Sequence, residues 1–337
     1  MSPGAVAGRG AVAGWGAAMR SGSADRGAGM SPGAAGRGAG MSPGAGTSML
    51  ARIAGAPISW GVCEVPGWGH QLRPRRVLAE MRDAGLAACE FGPDGFLPAE
   101  PAARAELLAG FGLAAVGGFV PVVLHDADLD PAPLVDRALD ELAAAGAGVL
   151  VLAAVTGLDG YERRPEIGEA CWPTLLANLD RAARAAAGRG IIATLHPHVG
   201  TMVERAGEVR RVLEGSRVPL CLDTGHLLVG GTDPVELAVA HPERIAHVHL
   251  KDVDAAAAER VRAGELGYAD AVRRGMYRPL GLGVLDVAGI VSALEGSGYR
   301  GWYVLEQDTM LDAEPAPGHG PIQDVLASLA FLRGLAP

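Results

Sequence analysis

The sequence has no excess of basic residues. Its 337 residues include 29 Lys and Arg against 38 Asp and Glu, which gives a formal net charge of −9. A protein that binds nucleic acid or an anionic membrane needs a basic face to meet the phosphate groups. The charge balance therefore argues against both partners and favours a small soluble substrate.

Paired cysteines and long apolar runs are also missing. The four cysteines form no C-x-x-C pair, and Cys89 and Cys221 lie in apolar, strand-like runs. This placement predicts buried free thiols rather than disulfides or a zinc site, and hence a reducing cytoplasm. No apolar run approaches the length of a membrane span, and the first residues lack the continuous apolar core of a secretory signal. We therefore expect a soluble protein without a membrane partner.

Residues 1–48 differ in composition from the rest of the chain, because they are almost entirely Gly, Ala, Ser, Pro and Arg. Such a segment buries too little apolar surface to offset the entropy of ordering, which predicts a disordered arm. The string Met-Ser-Pro-Gly-Ala begins at Met1, Met30 and Met41, which indicates a short tandem duplication. A basic tether or targeting arm is the alternative. The folded domain is predicted to span residues 49–337, and Met49 is a candidate for its original start.

From Arg52 onward, short apolar runs alternate with amphipathic helical stretches, a pattern typical of repeated βα units around a parallel sheet. The predicted helices, several of which end at glycine, are 73–84, 134–145, 175–187, 209–213 and 322–335. The eight predicted strands are 53–60, 88–91, 113–124, 149–155, 191–196, 219–223, 245–250 and 302–306.

Eight such units favour a closed (β/α)8 barrel over an open doubly wound sheet. No G-x-G-x-x-G fingerprint follows the first strand, which supports the same choice. One barrel of this size also accounts for nearly all of the chain outside the arm. Active sites of such barrels lie at the carboxyl ends of the strands, so the polar residues there are the candidates for function.

The last four predicted strands all end in ionisable side chains, and the imidazoles and carboxylates among them can bind a metal ion. These side chains are His196 and His198, Asp223 and His226, His247, His249 and Lys251, and Glu306 and Asp308. Taken singly, each has an ordinary structural alternative, such as a helix cap for Asp223 or a solvated strand end for Glu306. Four adjacent strands with such ends favour a shared site for a divalent ion. His247 and His249 point to the same face of their strand, and His249 is the better candidate because it lies nearer the rim.

Six segments carry distinctive motifs: Ala-Pro-Ile-Ser-Trp-Gly at 56–61, Glu-Phe-Gly-Pro-Asp-Gly-Phe-Leu-Pro at 90–98, His-Pro-His-Val-Gly-Thr at 196–201, Cys-Leu-Asp-Thr-Gly-His at 221–226, His-Val-His-Leu-Lys-Asp at 247–252 and Leu-Glu-Gln-Asp at 305–308. Together they resemble the inosose dehydratase branch of the xylose-isomerase-like sugar isomerase and epimerase superfamily. The resemblance spans the whole barrel, and it implies a metal ion bound by residues of strands five to eight.

By this resemblance, Asp223, His249 and Glu306 are three metal ligands, and His196 takes the place of the fourth. Sugar epimerases of the superfamily generally have a glutamate at this last position. The imidazole removes one negative charge, which speaks against an epimerisation that uses two carboxylates but is compatible with metal binding. Manganese or cobalt is the expected ion, with magnesium and zinc as alternatives.

The resemblance implies a metal-dependent lyase that dehydrates a keto-inositol or a similar polyhydroxylated ketone through an enediolate. His198 and His226 are the candidates for proton transfer and Lys251 for polarising an oxygen, while Trp60 and Glu90 are expected to bind substrate. One alternative keeps the fold and the metal but acts as a sugar isomerase or epimerase. The other is a non-catalytic polyol-binding barrel. The alanine-rich outer helices would permit a homodimer.

The stretch from residue 254 to about residue 283 is longer than a usual connection, and long connections in compact domains are often functional. Its composition suggests some helix, so we expect an ordered lid over the mouth of the barrel. A lid would keep bulk water away from an enediolate. Arg278, close to the glycine-rich end of the lid, is the predicted substrate-binding residue.

We expect deletion of residues 1–48 to leave the melting temperature and the activity nearly unchanged, because an arm of this composition makes few buried contacts. Thermal unfolding and a turnover assay of the shortened and full-length proteins test this. A large loss of either property would show that the arm is structural.

Overall fold

The computed structural model describes residues 47–335 and contains a parallel barrel surrounded by helices. The predicted arm, residues 1–48, lies outside the described residues except for Thr47 and Ser48. The strands are β1 (Ile53–Gly55), β2 (Ala88–Cys89), β3 (Ala114–Ala115), β4 (Gly117–Val122), β5 (Val149–Ala154), β6 (Ile192–Leu195), β7 (Leu220–Asp223), β8 (Ile245–Leu250), β9 (Asp252–Val253), β10 (Tyr277–Arg278) and β11 (Tyr303–Leu305).

Nine of these strands form one sheet in the order β3-β2-β1-β11-β8-β7-β6-β5-β4, and all neighbours are parallel. The two ends of this order, β3 and β4, are consecutive in the chain and are separated only by Val116. A single stretch of chain therefore pairs with β2 through β3 and with β5 through β4, which closes the sheet into a barrel. With β3 and β4 counted as one, the barrel has eight strands, which we call staves. The predicted (β/α)8 fold is confirmed.

Helices connect the staves, and most of them begin or end at a residue with a clear local cause. Gly85 ends α1 in the left-handed conformation, and the carboxylates of Glu100, Asp233 and Asp286 accept hydrogen bonds from the first turns of their helices. The helices are α1 (Pro74–Ala84), α2 (Pro101–Gly110), α3 (Ala132–Ala144), α4 (Trp172–Ala187), α5 (Ala206–Gly215), α6 (Thr224–Val229), α7 (Pro234–Ala240), α8 (Ala255–Arg262), α9 (Tyr268–Arg273), α10 (Val287–Gly296) and α11 (Pro321–Leu335).

Two predicted strands differ from the observed ones. The predicted strand 53–60 stops at Gly55, and Pro57–Trp60 forms a 3-10 turn, because proline fixes its own φ and offers no N–H to a sheet. The predicted strand 113–124 is divided at Val116, where the chain changes its pairing partner. The short helices α6 and α7 and the longer α2 and α10 were not predicted.

The interior is apolar in the staves and becomes polar towards their carboxyl ends. All six residues of β5 are buried, as expected for a parallel strand that is covered on both faces. The four cysteines are free, and Cys89 and Cys221 are buried, as predicted. Between residues 47 and 335, no helix combines the length and the apolar character that a membrane span requires.

We expect Gly117→Ala to destabilise the barrel at its seam. A β-carbon on Gly117 would lie 2.0 Å from the backbone oxygen of Val149, so β4 and β5 would have to move apart. Overpacking of this kind costs roughly 1–3 kcal/mol of unfolding free energy, which urea denaturation measures. Gly110→Ala is the control, because the added carbon at the end of α2 meets no heavy atom within 4 Å. A Gly117→Ala variant of wild-type stability would contradict the close approach.

Candidate metal centre and active site

Four neighbouring staves bring His196, Asp223, His249 and Glu306 together at the carboxyl-terminal rim. One nitrogen or oxygen of each side chain lies within 4.8 Å of those of the other three. His196 follows the last residue of β6, Asp223 ends β7, and Glu306 follows the last residue of β11. His249 lies on β8, between β7 and β11. It is in register with Asp223 on β7 and with Val304 on β11. We call these four residues the rim cluster.

The two oxygens of Asp223 have different partners. Oδ1 accepts hydrogen bonds from the backbone N–H groups of Gly225 (3.0 Å) and His226 (2.8 Å) and so caps α6. Oδ2 lies 3.1 Å from Nε2 of His196 and 3.6 Å from Nδ1 of His249. Burial alone would raise the pKa of Asp223, but its positive and hydrogen-bonding neighbours, above all Lys251, hold the pKa well below its usual range. Asp223 is therefore both a helix cap and an ionised member of the rim cluster.

The rim cluster has the donor set and the unpaired atoms that a divalent metal ion requires. Nδ1 of His249 contacts Oε2 of Glu306, and both atoms are buried without a hydrogen bond. Burial would lower the pKa of His249, but Cys221, Glu306 and Glu90 raise it well above its usual value, so the surroundings of this ring favour a positive charge. Two imidazoles and two carboxylates suit manganese, cobalt or zinc. The cluster can therefore hold a divalent ion.

Lys251 carries a buried positive charge beside the rim cluster. Its Nζ atom lies 3.0 Å from Oδ2 of Asp223 and 2.9 Å from Oδ1 of Asp308. Burial lowers the pKa of a lysine, but Asp223, Asp308 and Glu306 outweigh it and raise the pKa of Lys251 well above its usual value. The ammonium group therefore persists at neutral pH. Asp308 is among the strand-end residues that the sequence analysis names but has no role assigned there; the structure gives it one as a partner of Lys251.

The rings of His198 and His226 lie face to face beside the rim cluster, with centroids 3.8 Å apart and an interplanar angle of 37°. Nδ1–H of His198 donates to the carbonyl oxygen of Val199 at 2.7 Å, which leaves the lone pair on Nε2. Burial lowers the pKa of both rings well below the usual value, and the nearby charge of Lys251 lowers it further. The pair is therefore neutral at physiological pH.

The stretch 254–283 forms the predicted ordered lid. It contains α8 and α9, and β10 pairs with β9 to close the loop at its base. Two of its tyrosines reach into the site: the hydroxyl of Tyr268 donates to Asp308, and that of Tyr277 lies 3.4 Å from Nδ1 of His226. Both tyrosines are buried. Neither tyrosine carries a periodic signal in the sequence, because Tyr268 begins the short helix α9 and Tyr277 lies on the two-residue strand β10.

A second loop, after β5, holds the lid in place. The carboxylate of Glu162 accepts the first two backbone N–H groups of α9, at 3.1 and 2.7 Å. The neighbouring Tyr161 packs its ring 4.6 Å from that of His198 and donates to Oε1 of Glu64 at 2.7 Å. The loops after β1 and β5 and the lid thus enclose the imidazole pair between aromatic rings.

Comparison with known proteins agrees with this geometry. Residues 78–335 match the family described as xylose isomerase-like TIM barrel. The chain belongs to this family. It is 35% identical over 269 residues to the rhizopine catabolism protein MocC of Rhizobium meliloti, which covers 77% of this chain and 82% of that protein. It is 34% identical over 281 residues to the inosose dehydratase of Geobacillus kaustophilus, with coverage of 80% and 89%.

A solved L-ribulose 3-epimerase has the same fold, with a TM-score of 0.60 over 84% of this chain and 94% of that one, at 18% identity. At this identity the likeness concerns the fold alone. The relatives at higher identity confirm the predicted resemblance to the inosose dehydratase branch, and they confirm the prediction of an enzyme. The rim cluster occupies the end of the barrel where xylose isomerase-like TIM barrels, like other barrels of eight staves, have their active sites.

Three predicted substrate-binding residues lie apart from the imidazole pair in this member of the family. Trp60 is buried in the core, and its indole N–H donates to Glu80 at 2.9 Å. Arg278 is half exposed, and its Nη2 atom lies 3.3 Å from Oδ2 of Asp254. Glu90 is buried, and its Oε1 accepts hydrogen bonds from His247 and His249. The substrate-binding roles of Trp60, Arg278 and Glu90 therefore stay predictions, and the structure gives each side chain a protein partner.

We expect Asp223→Ala and Glu306→Ala to lose most of the bound metal while the barrel stays folded, because rim residues serve function and deeper layers serve stability. Metal content after purification and circular dichroism measure the two effects. Asp233→Ala is the matched control, since Asp233 also caps a helix but lies outside the rim cluster. Asp233→Ala should lower the unfolding free energy by about 1 kcal/mol and leave the metal content unchanged. Full metal occupancy in both rim variants would remove them from the ligand set.

Proposed function

We propose that this enzyme is a metal-dependent dehydratase that acts on a keto-inositol, or on a similar polyhydroxylated ketone, through an enediolate. The observation that carries the proposal is the neutral pair of His198 and His226, which lies directly beside the rim cluster. Dehydration next to a carbonyl requires one proton to be taken from carbon and one to be given to the departing hydroxyl. Two adjacent imidazoles can do both. The relatives named inosose dehydratase support the same reaction class.

The rim cluster would hold the divalent ion, for which manganese and cobalt fit the ligands best and magnesium and zinc are alternatives. When bound, the ion would act as a Lewis acid that polarises the substrate carbonyl and stabilises negative charge on its oxygen. His196 is one of the four residues that would hold it.

The imidazole pair accounts for the movement of protons. His198 presents the lone pair of Nε2, because its Nδ1–H is bonded to the carbonyl of Val199, and is the base that accepts the α-proton. Because the two rings stack at 3.8 Å, a substrate hydroxyl or a water molecule would carry this proton to His226, which returns it to the departing hydroxyl. The C–H bond and the β C–O bond break, a C=C bond forms, and H and OH leave as water. Both rings end the cycle neutral.

The remaining side chains stabilise charge and exclude solvent. Lys251, which stays protonated between Asp223 and Asp308, can donate a hydrogen bond to a substrate oxygen as negative charge develops there. Tyr268 and Tyr277 cover the site, and a closed lid keeps bulk water from reprotonating an enediolate. Arg278 lies at the mouth and would meet polar substrate groups as they enter.

The second candidate is a sugar isomerase or epimerase, which would share the enediolate step and return the proton to carbon. A solved L-ribulose 3-epimerase shares the fold, which agrees with this candidate but does not select it. The imidazole of His196 speaks against it, because a glutamate is expected there for an epimerase that works with two carboxylates. A polyol-binding barrel without catalysis would not need the complete rim cluster. The cytoplasmic location and a homodimer remain predictions, and the four free cysteines agree with the former.

The decisive experiment is metal analysis of the purified enzyme, followed by incubation with a panel of keto-inositols and ketoses in the presence of manganese or cobalt. We expect a keto-inositol to give a dehydrated product that is detected by its absorbance of ultraviolet light. An isomeric sugar would support the epimerase instead, and binding without turnover would support the polyol-binding barrel.

His198→Phe and His226→Phe should each lower kcat by about 10²- to 10⁴-fold with little change in metal content, because general acid–base groups contribute factors of this size. His241→Phe replaces a half-exposed histidine after α7 and should leave kcat unchanged. Wild-type kcat in either site variant would remove that ring from the mechanism.

A further inference from the structure

Glu90 lies beneath the rim cluster rather than beside the imidazole pair. It follows β2, and its side chain is 5% exposed. Its Oε1 atom lies 2.7 Å from Nε2 of His247 and 3.0 Å from Nε2 of His249, two rings that point to the same side of β8. An ionised carboxylate only accepts hydrogen bonds, so both nitrogens must carry their protons towards Glu90.

This donation fixes which nitrogen of His249 can bind a cation. To bind a cation, the ring of His249 must release one of its two N–H protons, and the hydrogen bond to Glu90 retains the proton on Nε2. The lone pair is then on Nδ1, which contacts Oε2 of Glu306 and lies 3.6 Å from Oδ2 of Asp223. The hydrogen bond at the far side of the ring therefore aims the free nitrogen at the centre of the rim cluster.

We infer that Glu90 is a positioning residue for the metal site: its carboxylate holds His249 in the tautomer and the ring orientation that present Nδ1 to the ion. His247 is the second donor to the same oxygen and keeps the carboxylate turned towards His249. Carboxylates that accept a hydrogen bond from a metal-binding imidazole fix its tautomer and raise its basicity. This inference rests on the metal site of the proposed function, and it replaces the predicted role of Glu90 in binding substrate hydroxyls.

Three glutamate variants test the inference. Glu90→Leu removes the acceptor, whereas Glu90→Gln keeps an oxygen that can accept from both rings. Glu80→Leu is the matched control, because Glu80 is also a buried glutamate and accepts from the indole of Trp60, outside the rim cluster. All three variants are compared with wild type by circular dichroism and thermal unfolding, so that a loss of fold is recognised.

The first measurement is the dissociation constant for Mn²⁺, determined by titrating the metal-free protein in the absence of any substrate. We expect Glu90→Leu to weaken binding by about 10- to 100-fold, the usual effect of removing such a partner. Glu90→Gln should retain most of the affinity, and Glu80→Leu should match wild type even if its melting temperature falls. Unchanged affinity in folded Glu90→Leu overturns the inference, and it is the result that a substrate-binding role for Glu90 would give.

The second measurement is the ¹H–¹⁵N NMR correlation of histidine side chains in the zinc-loaded wild-type protein, which does not depend on any variant folding. His249 should show a protonated Nε2 and a zinc-bound Nδ1. A zinc-bound Nε2 overturns the inference, whatever the variants do. If the wild-type protein binds neither Mn²⁺ nor Zn²⁺, the proposed metal site is wrong and the inference about Glu90 is wrong with it. If the wild-type protein binds the metal, a negative result contradicts only the role of Glu90.

Discussion

The organisation of the rim depends on how the buried charge of Asp223 is balanced. The carboxylate is fully buried, and a charge left without partners in such a place is strongly destabilising. It is stabilised by two backbone N–H groups of α6, by His196 and by the ammonium group of Lys251. Each partner is held in place by the same carboxylate. Balancing one charge therefore also orients a helix, an imidazole and a lysine around one point.

Burial divides the ionisable groups of the site into two kinds. Lys251 and Asp223 stay charged because each lies beside an opposite charge, whereas His198 and His226 become neutral because burial and the ammonium of Lys251 both disfavour a second cation. The lid maintains this division, since Tyr268 and Tyr277 complete the dry enclosure. A low local dielectric strengthens the remaining interactions. A fixed positive charge and two neutral imidazoles thus lie next to each other, and the proposed removal of a proton next to a carbonyl depends on this arrangement.

The barrel itself does not choose the reaction. The same fold is found in an L-ribulose 3-epimerase, and what differs between members of a barrel family is the set of side chains at the rim. By the resemblance in sequence, His196 takes the place of a glutamate that epimerases of the superfamily generally have, and the imidazoles of His198 and His226 lie beside it. The carboxylates of the rim cluster, Asp223 and Glu306, contact His249, and Asp223 also forms an ion pair with Lys251. Proton transfer therefore falls to the imidazole pair in the function that we propose.

The sequence alone determined the eight staves and the rim residues, because alternation of apolar runs and glycine-ended helices is a local property, and because parallel strands all end at one rim. It could not determine where Val116 divides a stave, since that break follows from pairing with β2 and β5, which are distant in sequence. Nor could it place Tyr268 over Asp308 or Glu90 beneath His249. These contacts join residues 40 and 159 positions apart, and only the closed barrel decides which distant side chains share a hydrogen bond.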